Sequence, residues 1–247
     1  MEKFQSFLFA LAITLLIASM YLSFNLKKDL RNLEEVKILR VIDGDTLITS
    51  DEITIRLLNI NSPEKDSPLS NLSIVFLKSF EGKNIYLEKL STDKYGRTLG
   101  RIYNDSDYLN EYIVKEGLAS KFLVDESELE LFNNAELKAV KEERGIWIHS
   151  NYFECISSSI DEKNEIIVLK NLCPDLNLSG FTIKDESRKI YTFTKNFSSI
   201  NLHSSKGKDN QTDIFWNEAG SVLNNDRDTL YIFDKEGRIA HHESYGY

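Results

Sequence analysis

The chain has 247 residues, with 30 Lys and Arg against 39 Asp and Glu and a net charge of −9. At 41% hydrophobic and 28% charged residues it has the composition of an ordinary folded protein, which excludes a disordered chain. The acidity is evenly spread: residues 36–148 carry 15 Lys and Arg against 20 Asp and Glu, and residues 149–247 carry 11 against 15. A broad basic platform is therefore excluded, and any nucleic acid must be held by a few aimed cations and a metal.

Residues 1–35 stand apart. Phe7 to Phe24 is an uncharged run of 18 residues, mostly Leu, Ile, Phe and Ala. A membrane-spanning helix needs about 20 residues, with a range of about 17–25, whereas the apolar region of a cleaved signal is about 7–15 long and ends in small residues. Ala18-Ser19-Met20 is a poor cleavage site, and the run continues past it. The expectation is an uncleaved N-terminal transmembrane helix, with a cleaved signal as the alternative. Lys27, Lys28 and Arg31 follow the run, which by the positive-inside rule places the rest of the chain in the cytoplasm, although long domains translocate largely regardless of charge.

From Val36 the pattern is β. Val36, Ile38 and Val41, then Leu47 and Ile48, predict two strands joined at Asp43-Gly44-Asp45, since an Asp-Gly pair between apolar runs is itself a hairpin signal. Ile53, Ile55 and Leu57 alternate with Thr54 and Arg56. That strand places Arg56 off the apolar face and ends at Ser62-Pro63, where proline lacks the N–H of a ladder. Glu64 follows. Leu69, Leu72, Phe76 and Phe80 have helical spacing and read as packing. Ile85–Leu87 predicts a strand. Asp93-Lys94-Tyr95-Gly96-Arg97 predicts a turn into a further strand through Leu99, Ile102 and Tyr103. Residues 107–116 predict a helix stopped by Gly117, and 126–144 a long amphipathic helix stopped by Gly145, with Trp147 beneath it. Phe122 reads as core rather than as a base-stacking platform. Taken singly, Asp43 and Asp45 are turn residues, Arg56 and Glu64 a surface ion pair, and Arg97 solvated surface.

Three segments change that balance because they occur together and in order: Val41-Ile42-Asp43-Gly44-Asp45-Thr46, Arg56-Leu57-Leu58-Asn59-Ile60-Asn61-Ser62-Pro63-Glu64, and Asp93-Lys94-Tyr95-Gly96-Arg97-Thr98-Leu99. Over roughly Val36 to Trp147 the chain resembles the staphylococcal nuclease (thermonuclease) family. The resemblance implies a five-stranded OB-fold barrel capped by helices. It implies calcium-dependent hydrolysis of DNA and RNA at the 5′ P–O bond, leaving 3′-phosphates. It further implies Asp45, Asn61 and the Ser62 carbonyl as ligands of Ca2+, with Asp43 standing behind Asp45. Arg56 and Arg97 would bind phosphate, and Glu64 would act as general base on water. These residue types suit the chemistry: a guanidinium grips phosphate through two parallel hydrogen bonds, and calcium takes hard oxygen ligands in irregular geometry. One departure is Asn61, where the family has an aspartate. Its amide oxygen can still ligate, but a charge is lost, which implies weaker calcium binding that Asn61→Asp should tighten.

The rhythm changes near His149-Ser150. Short β-type runs recur at 165–169, 180–184, 190–193, 199–203, 213–216, 229–233 and 238–241, separated by turn residues, as in a β-sandwich. Residues 176–185 and 226–237, ahead of Tyr245, resemble the lamin tail domain. That resemblance implies an immunoglobulin-like β-sandwich over 151–247 that attaches to an unknown surface ligand. Cys155 and Cys173 are the two cysteines; they lack metal spacing, and in an exported chain a disulfide across the first strands is plausible. His241-His242 has no third ligand at a recognisable spacing and reads as a surface pair.

The whole reads as a mainly β protein with helices. Residues 1–35 are an anchor or signal with a stem, 36–148 a thermonuclease-like barrel, and 151–247 the sandwich. The expected function is an exported, membrane-anchored, calcium-dependent nuclease with DNA and RNA as substrates. It would be single-pass at the cell membrane with its domains outside, or secreted; the hazard of a nuclease facing its own genome weighs against the charge rule. The alternatives are a non-catalytic OB-fold binding module and a surface tether working through the tail. Retention of Arg56, Glu64 and Arg97 favours catalysis. On that reading, deletion of 151–247 should leave activity on free DNA intact.

Overall fold

The computed structural model describes residues 13–15, 33–63, 69–105, 107–187 and 189–247. Except for residues 13–15, the anchor expected at 7–24 lies outside them, as does Glu64. Among the described residues no helix is long and apolar enough to cross a membrane.

The first half contains β1 (Glu34–Val41), β2 (Thr46–Thr49), β3 (Thr54–Leu57), β4 (Ile60–Asn61), α1 (Asn71–Lys78), β5 (Asn84–Thr92), β6 (Thr98–Asn104), β7 (Asp107–Tyr108), α2 (Leu109–Lys115), β8 (Ser120–Lys121) and α3 (Leu129–Lys141). The sheet runs β3-β2-β1-β5-β6 and closes on itself, because β6 also pairs in parallel with β3, Arg56 lying opposite Leu99. Closure into a five-stranded barrel leaves no exposed sheet edge among those strands. The interior is filled by alternate residues of each strand, among them Ile38, Leu47, Ile55, Leu87 and Ile102, and is plugged by Leu77, Ile113 and Phe132 from the three helices. This is a mainly β barrel of OB type with a few helices.

Three boundaries differ from the sequence expectation. The strand through Arg56 ends at Leu57, not at Ser62-Pro63, because Asn59 takes a positive φ of 66° and turns the chain. The next two residues form β4, which pairs with β8, Ile60 opposite Lys121 and Asn61 opposite Ser120. The helix expected from 107 begins at Leu109, since Asp107 and Tyr108 first pair back onto β6. The long helix begins at Leu129 after a 3-10 turn and ends at Lys141. Gly117 and Gly145 both have positive φ and meet backbone to backbone. The Ile146 N–H donates to the Gly117 carbonyl at 2.8 Å, and a Cβ on Gly145 would sit 2.1 Å from that oxygen.

The second half contains β9 (Ile156–Asp161), β10 (Ile166–Asn171), β11 (Thr182–Lys184), β12 (Ile190–Thr192), β13 (Ser199–His203), β14 (Asp213–Phe215), β15 (Asp228–Phe233) and β16 (Ile239–Tyr245). They make two four-stranded sheets, β14-β13-β10-β9 and β12-β11-β15-β16. One core takes Ile167, Leu169 and Leu202 from the first sheet and Ile183, Leu230 and Ile232 from the second. Strand β9 is absent from the sequence expectation. Its Ser157-Ser158-Ser159 run has no apolar alternation, and it is a strand because it pairs with β10 along its whole length. Cys155 and Cys173, which flank β9 and β10, are disulfide-bonded.

The two halves are tightly joined. The Ser150 N–H donates to the Ile239 carbonyl at 2.8 Å, and the Ile239 N–H donates to the Ile148 carbonyl at 2.9 Å. Trp147 packs beneath α3 and also stacks on Tyr231, with ring centroids 5.3 Å apart. The histidine pair expected at the surface is covered instead. His242 Nε2 lies 3.3 Å from the Glu136 carboxylate, and His241 Nε2 lies 2.7 Å from Ser158 Oγ. Adjacent residues of β16 point to opposite faces, and here one face meets the barrel and the other meets β9.

Candidate active site

The turn between β1 and β2 delivers a carboxylate to the end of the barrel. Asp43 Oδ1 accepts the Asp45 N–H at 3.1 Å and sets the turn. A Cβ at Gly44 would lie 2.0 Å from Ser73 Oγ and 2.6 Å from Ser62 Cβ, so only glycine lets the turn press against α1 and the 61–62 segment. Asp45 is buried. Its Oδ1 is 3.2 Å from Arg56 Nε and accepts the Thr46 hydroxyl at 3.0 Å. Its Oδ2 accepts the Ser62 N–H at 3.0 Å and the Ser62 hydroxyl at 3.1 Å. Burial pushes its carboxyl up, Arg56 pulls it down and Asp43 pushes it up again, and the net shift is upward.

Arg56 departs from the expectation of an arginine standing off the apolar face. It is only 8% exposed, because Asp45 and two carbonyls compensate its charge in the interior. Nη1 donates to the Leu57 carbonyl at 2.5 Å and Nη2 to the Ile60 carbonyl at 2.9 Å, so the guanidinium clasps the turn at Asn59. The same turn is held from outside by Asn110 Nδ2 on the Leu58 carbonyl at 2.9 Å and by the Phe122 N–H on the Asn59 carbonyl at 2.9 Å. Asn61 and Ser62, just beyond, are buried. Asn61 Nδ2 donates to the Glu186 carbonyl at 3.3 Å, so its side chain faces the second half of the chain.

Arg97 stands at the start of β6, two residues before Leu99, the partner of Arg56. That offset is about 6–7 Å of strand. Its side chain is 31% exposed, and Nε donates to Asp93 Oδ2 at 2.8 Å. Its guanidinium also lies over the Tyr95 ring, 5.5 Å from the centroid. The fold thus brings Asp43, Asp45, Arg56, Asn61 and Ser62 together, with Arg97 one strand away. Glu64, two residues past Ser62, lies outside the described residues. Two neighbouring groups were not foreseen: Ser73, whose buried hydroxyl has no hydrogen-bond partner among the described residues, and the Glu186 carbonyl. Neither had a signal, since a helical serine and a backbone oxygen look alike everywhere.

The oxygens that this end of the barrel offers are the Asp45 carboxylate, in contact with Ser62, the Asn61 amide on the next residue, the Ser62 carbonyl and the Ser73 hydroxyl, which has no partner among the described residues. Such a set suits a hard cation of the calcium type. No group of three or more His, Cys, Asp or Glu poised for a metal occurs among the described residues, so Asp45 is the charged ligand they offer.

Residues 54–149 match the family described as staphylococcal nuclease homologue. An uncharacterized endonuclease of Escherichia coli O157:H7 is 36% identical over 88 residues, 34% of this chain and 58% of that relative. The thermonuclease of Staphylococcus hyicus is 30% identical over 130 residues, 47% of this chain and 77% of that enzyme. This chain belongs to the staphylococcal nuclease homologue family. An uncharacterized protein of Bacillus anthracis is also similar, 30% identical over 156 residues and 70% of its length. The chain covers 58% of the length of the Escherichia coli relative. As a staphylococcal nuclease homologue it carries Arg56, Asn61, Ser62 and Arg97 inside the matched segment, which ends before β9.

Proposed function

We propose that this protein is a calcium-dependent nuclease that hydrolyses phosphodiester bonds of DNA and RNA. The supporting observation is the buried Asp45–Arg56 pair with Ser62 bonded to the same carboxylate, one strand from the part-exposed Arg97. Asp45, Asn61 and the Ser62 carbonyl would hold the calcium ion, which supplies charge to polarise the scissile phosphate. Arg97 meets the phosphate with its terminal nitrogens and stabilises the charge that develops on its oxygens. Arg56 orients the turn that leads to Asn61 and Ser62 and lends its charge to the same end of the barrel. Glu64, by its place in the family pattern, takes the proton from the attacking water. The 5′ P–O bond breaks, leaving a 3′-phosphate and a 5′-hydroxyl.

The proposal extends to export. The apolar run at 7–24 suits an anchor or signal, and the Cys155–Cys173 disulfide is a bond favoured in oxidising compartments. Residues 151–247 are proposed as a lamin-tail-like unit on the strength of motif and two-sheet architecture. The test is to incubate purified 33–247 with single-stranded DNA, with millimolar calcium or with EGTA. Cleavage should appear only with calcium, and Arg97→Ala should lower kcat by about 10²–10³-fold while leaving the unfolding midpoint in place. A wild-type protein that binds DNA yet leaves it intact under calcium would replace this reading by the binding-module one.

A further inference from the structure

The deepest charges in this protein lie between the halves, outside the site just described. Lys121 is fully buried on β8. Its three ammonium hydrogens are all engaged: Nζ donates to Glu136 Oε2 at 2.5 Å, to Thr229 Oγ1 at 2.7 Å and to Ser244 Oγ at 3.1 Å. Glu136 belongs to α3 and the two hydroxyls to β15 and β16, so one ammonium group ties three elements of both halves. The network continues outward. Tyr231 OH donates to Glu136 Oε1 at 3.0 Å, Thr229 Oγ1 donates to Glu186 Oε1 at 2.8 Å, and Tyr247 OH donates to Glu186 Oε2 at 2.7 Å. Two buried ions in a joint are costly unless every partner is met, which a freely moving attachment module would not require.

Lys121 is also the cross-strand partner of Ile60 in the two-residue ladder that places Asn61. The Ser120 hydroxyl donates to the Asn61 carbonyl at 3.2 Å. The Asn61 amide itself reaches across the joint to the Glu186 carbonyl. The 60–62 segment is thus gripped twice from the second half, once directly at residue 61 and once through Lys121. A ladder of two residues has little stability of its own.

We propose that residues 151–247 are a structural part of the active site, in which Lys121 and Asn61 are positioning residues that fix the 60–62 strand. This rests on the nuclease reading above and deepens it. It changes two sequence expectations. Deleting 151–247 would strip the partners from Lys121 and release Asn61, so the barrel alone would lack an ordered site. Asn61→Asp would set a carboxylate oxygen against the Glu186 carbonyl oxygen, a repulsion opposing the added attraction for calcium.

The test uses the 33–247 protein and the double variant Thr229→Val/Ser244→Ala, which changes no residue proposed to meet the metal or the phosphate and removes two acceptors of Lys121. In the metal-free protein, amide hydrogen exchange at Ser62 and Phe122 should quicken about tenfold. With calcium and DNA, the calcium concentration for half-maximal activity should rise about five- to tenfold with kcat within twofold. Thr229→Ser with Ser244 intact keeps both hydroxyls, and should restore both readouts; it also serves if the double variant fails to fold, since Ser244→Ala alone can then be compared with it. Faster exchange confined to β15 and β16, with Ser62 and Phe122 unchanged, overturns the proposal. The exchange arm needs no catalysis. An inactive wild-type protein that still shows the coupling would sink the nuclease reading and keep the positioning role, and an active one without it would do the reverse.

Discussion

The Asp45 end of the barrel and the Lys121 joint are both buried and polar, yet they are built differently. At the joint the central ion pair is answered: Lys121 makes three bonds, and Glu136 is held by Lys121, Tyr231 and His242. Burial alone would push the Glu136 carboxyl up, but Lys121 and His242 outweigh it and hold it near about 2. At the barrel end the Asp45 carboxylate is answered as well, by Arg56, Thr46 and Ser62, and the open group is a neighbouring hydroxyl. Burial keeps the Asp45 carboxyl above its ordinary range although Arg56 is 3.2 Å away, and Ser73 Oγ has no partner among the described residues. Buried polar groups that are fully satisfied specify a fold, whereas under-compensated ones mark where a ligand's charge would be welcome. The joint centres on a satisfied ion pair, whereas the barrel end keeps, beside its ion pair, a buried hydroxyl without a partner among the described residues.

The largest effect should come from breaking the satisfied side. Lys121→Met leaves Glu136 ionised and buried without its cation, which should cost about 3–5 kcal/mol in denaturant unfolding. Adding Glu136→Gln removes the stranded charge, and the double variant should recover most of that loss. If the single substitution cost under about 1 kcal/mol, the joint would be no stronger than an exposed pair.

A smaller effect should come from pH. Burial, partly offset by Lys121 and Tyr247, raises the Glu186 carboxyl to about 7 from the ordinary 4.5. The folded protein therefore binds a proton that the unfolded chain has lost, between pH 4.5 and about 7. Its contribution is full below pH 4.5 and fades as pH rises through about 7, an effect on the order of 1–3 kcal/mol. Unfolding free energies at pH 5 and pH 8 should show this fall, and Glu186→Gln should flatten it. Equal slopes in the two proteins would show that Glu186 is ionised throughout.

The smallest effect belongs to the open side. Ser73→Ala deletes an unpartnered buried hydroxyl, so stability should hold or rise by less than about 1 kcal/mol. Calcium affinity by calorimetry, with a nucleotide present, should weaken if that oxygen serves the ion. A loss of stability above about 1 kcal/mol would mean that the hydroxyl has a structural partner after all.

How much of this was legible in the sequence depended on the length scale of each signal. The barrel strands were legible because alternation over four to nine residues has a period to read. Strands β4 and β8 have two residues each and no period, so the ladder that places Asn61 was invisible. Asp45, Arg56, Asn61, Ser62 and Arg97 were singled out because a motif preserves their order, but the burial of the first four was not legible. An arginine in an alternating strand looks outward until the carbonyls of a turn four residues away are known to face it. His242 failed for the same reason. A charge reads as surface unless its partner is visible, and here the partner, Glu136, is 106 residues away.

The contacts that tie the halves have a kinetic consequence. Asn61 meets a residue 125 positions later, and Lys121 meets one 123 positions later. Contacts so distant in sequence form slowly, because a large loop must close before they contribute. On a chain emerging from its N-terminus, the five barrel strands are available by residue 104, but the strand carrying Asn61 waits for β15 and β16. The region proposed to cut nucleic acid is thus the last to mature, and a nascent chain would carry a formed barrel with an unset site until β16 has docked.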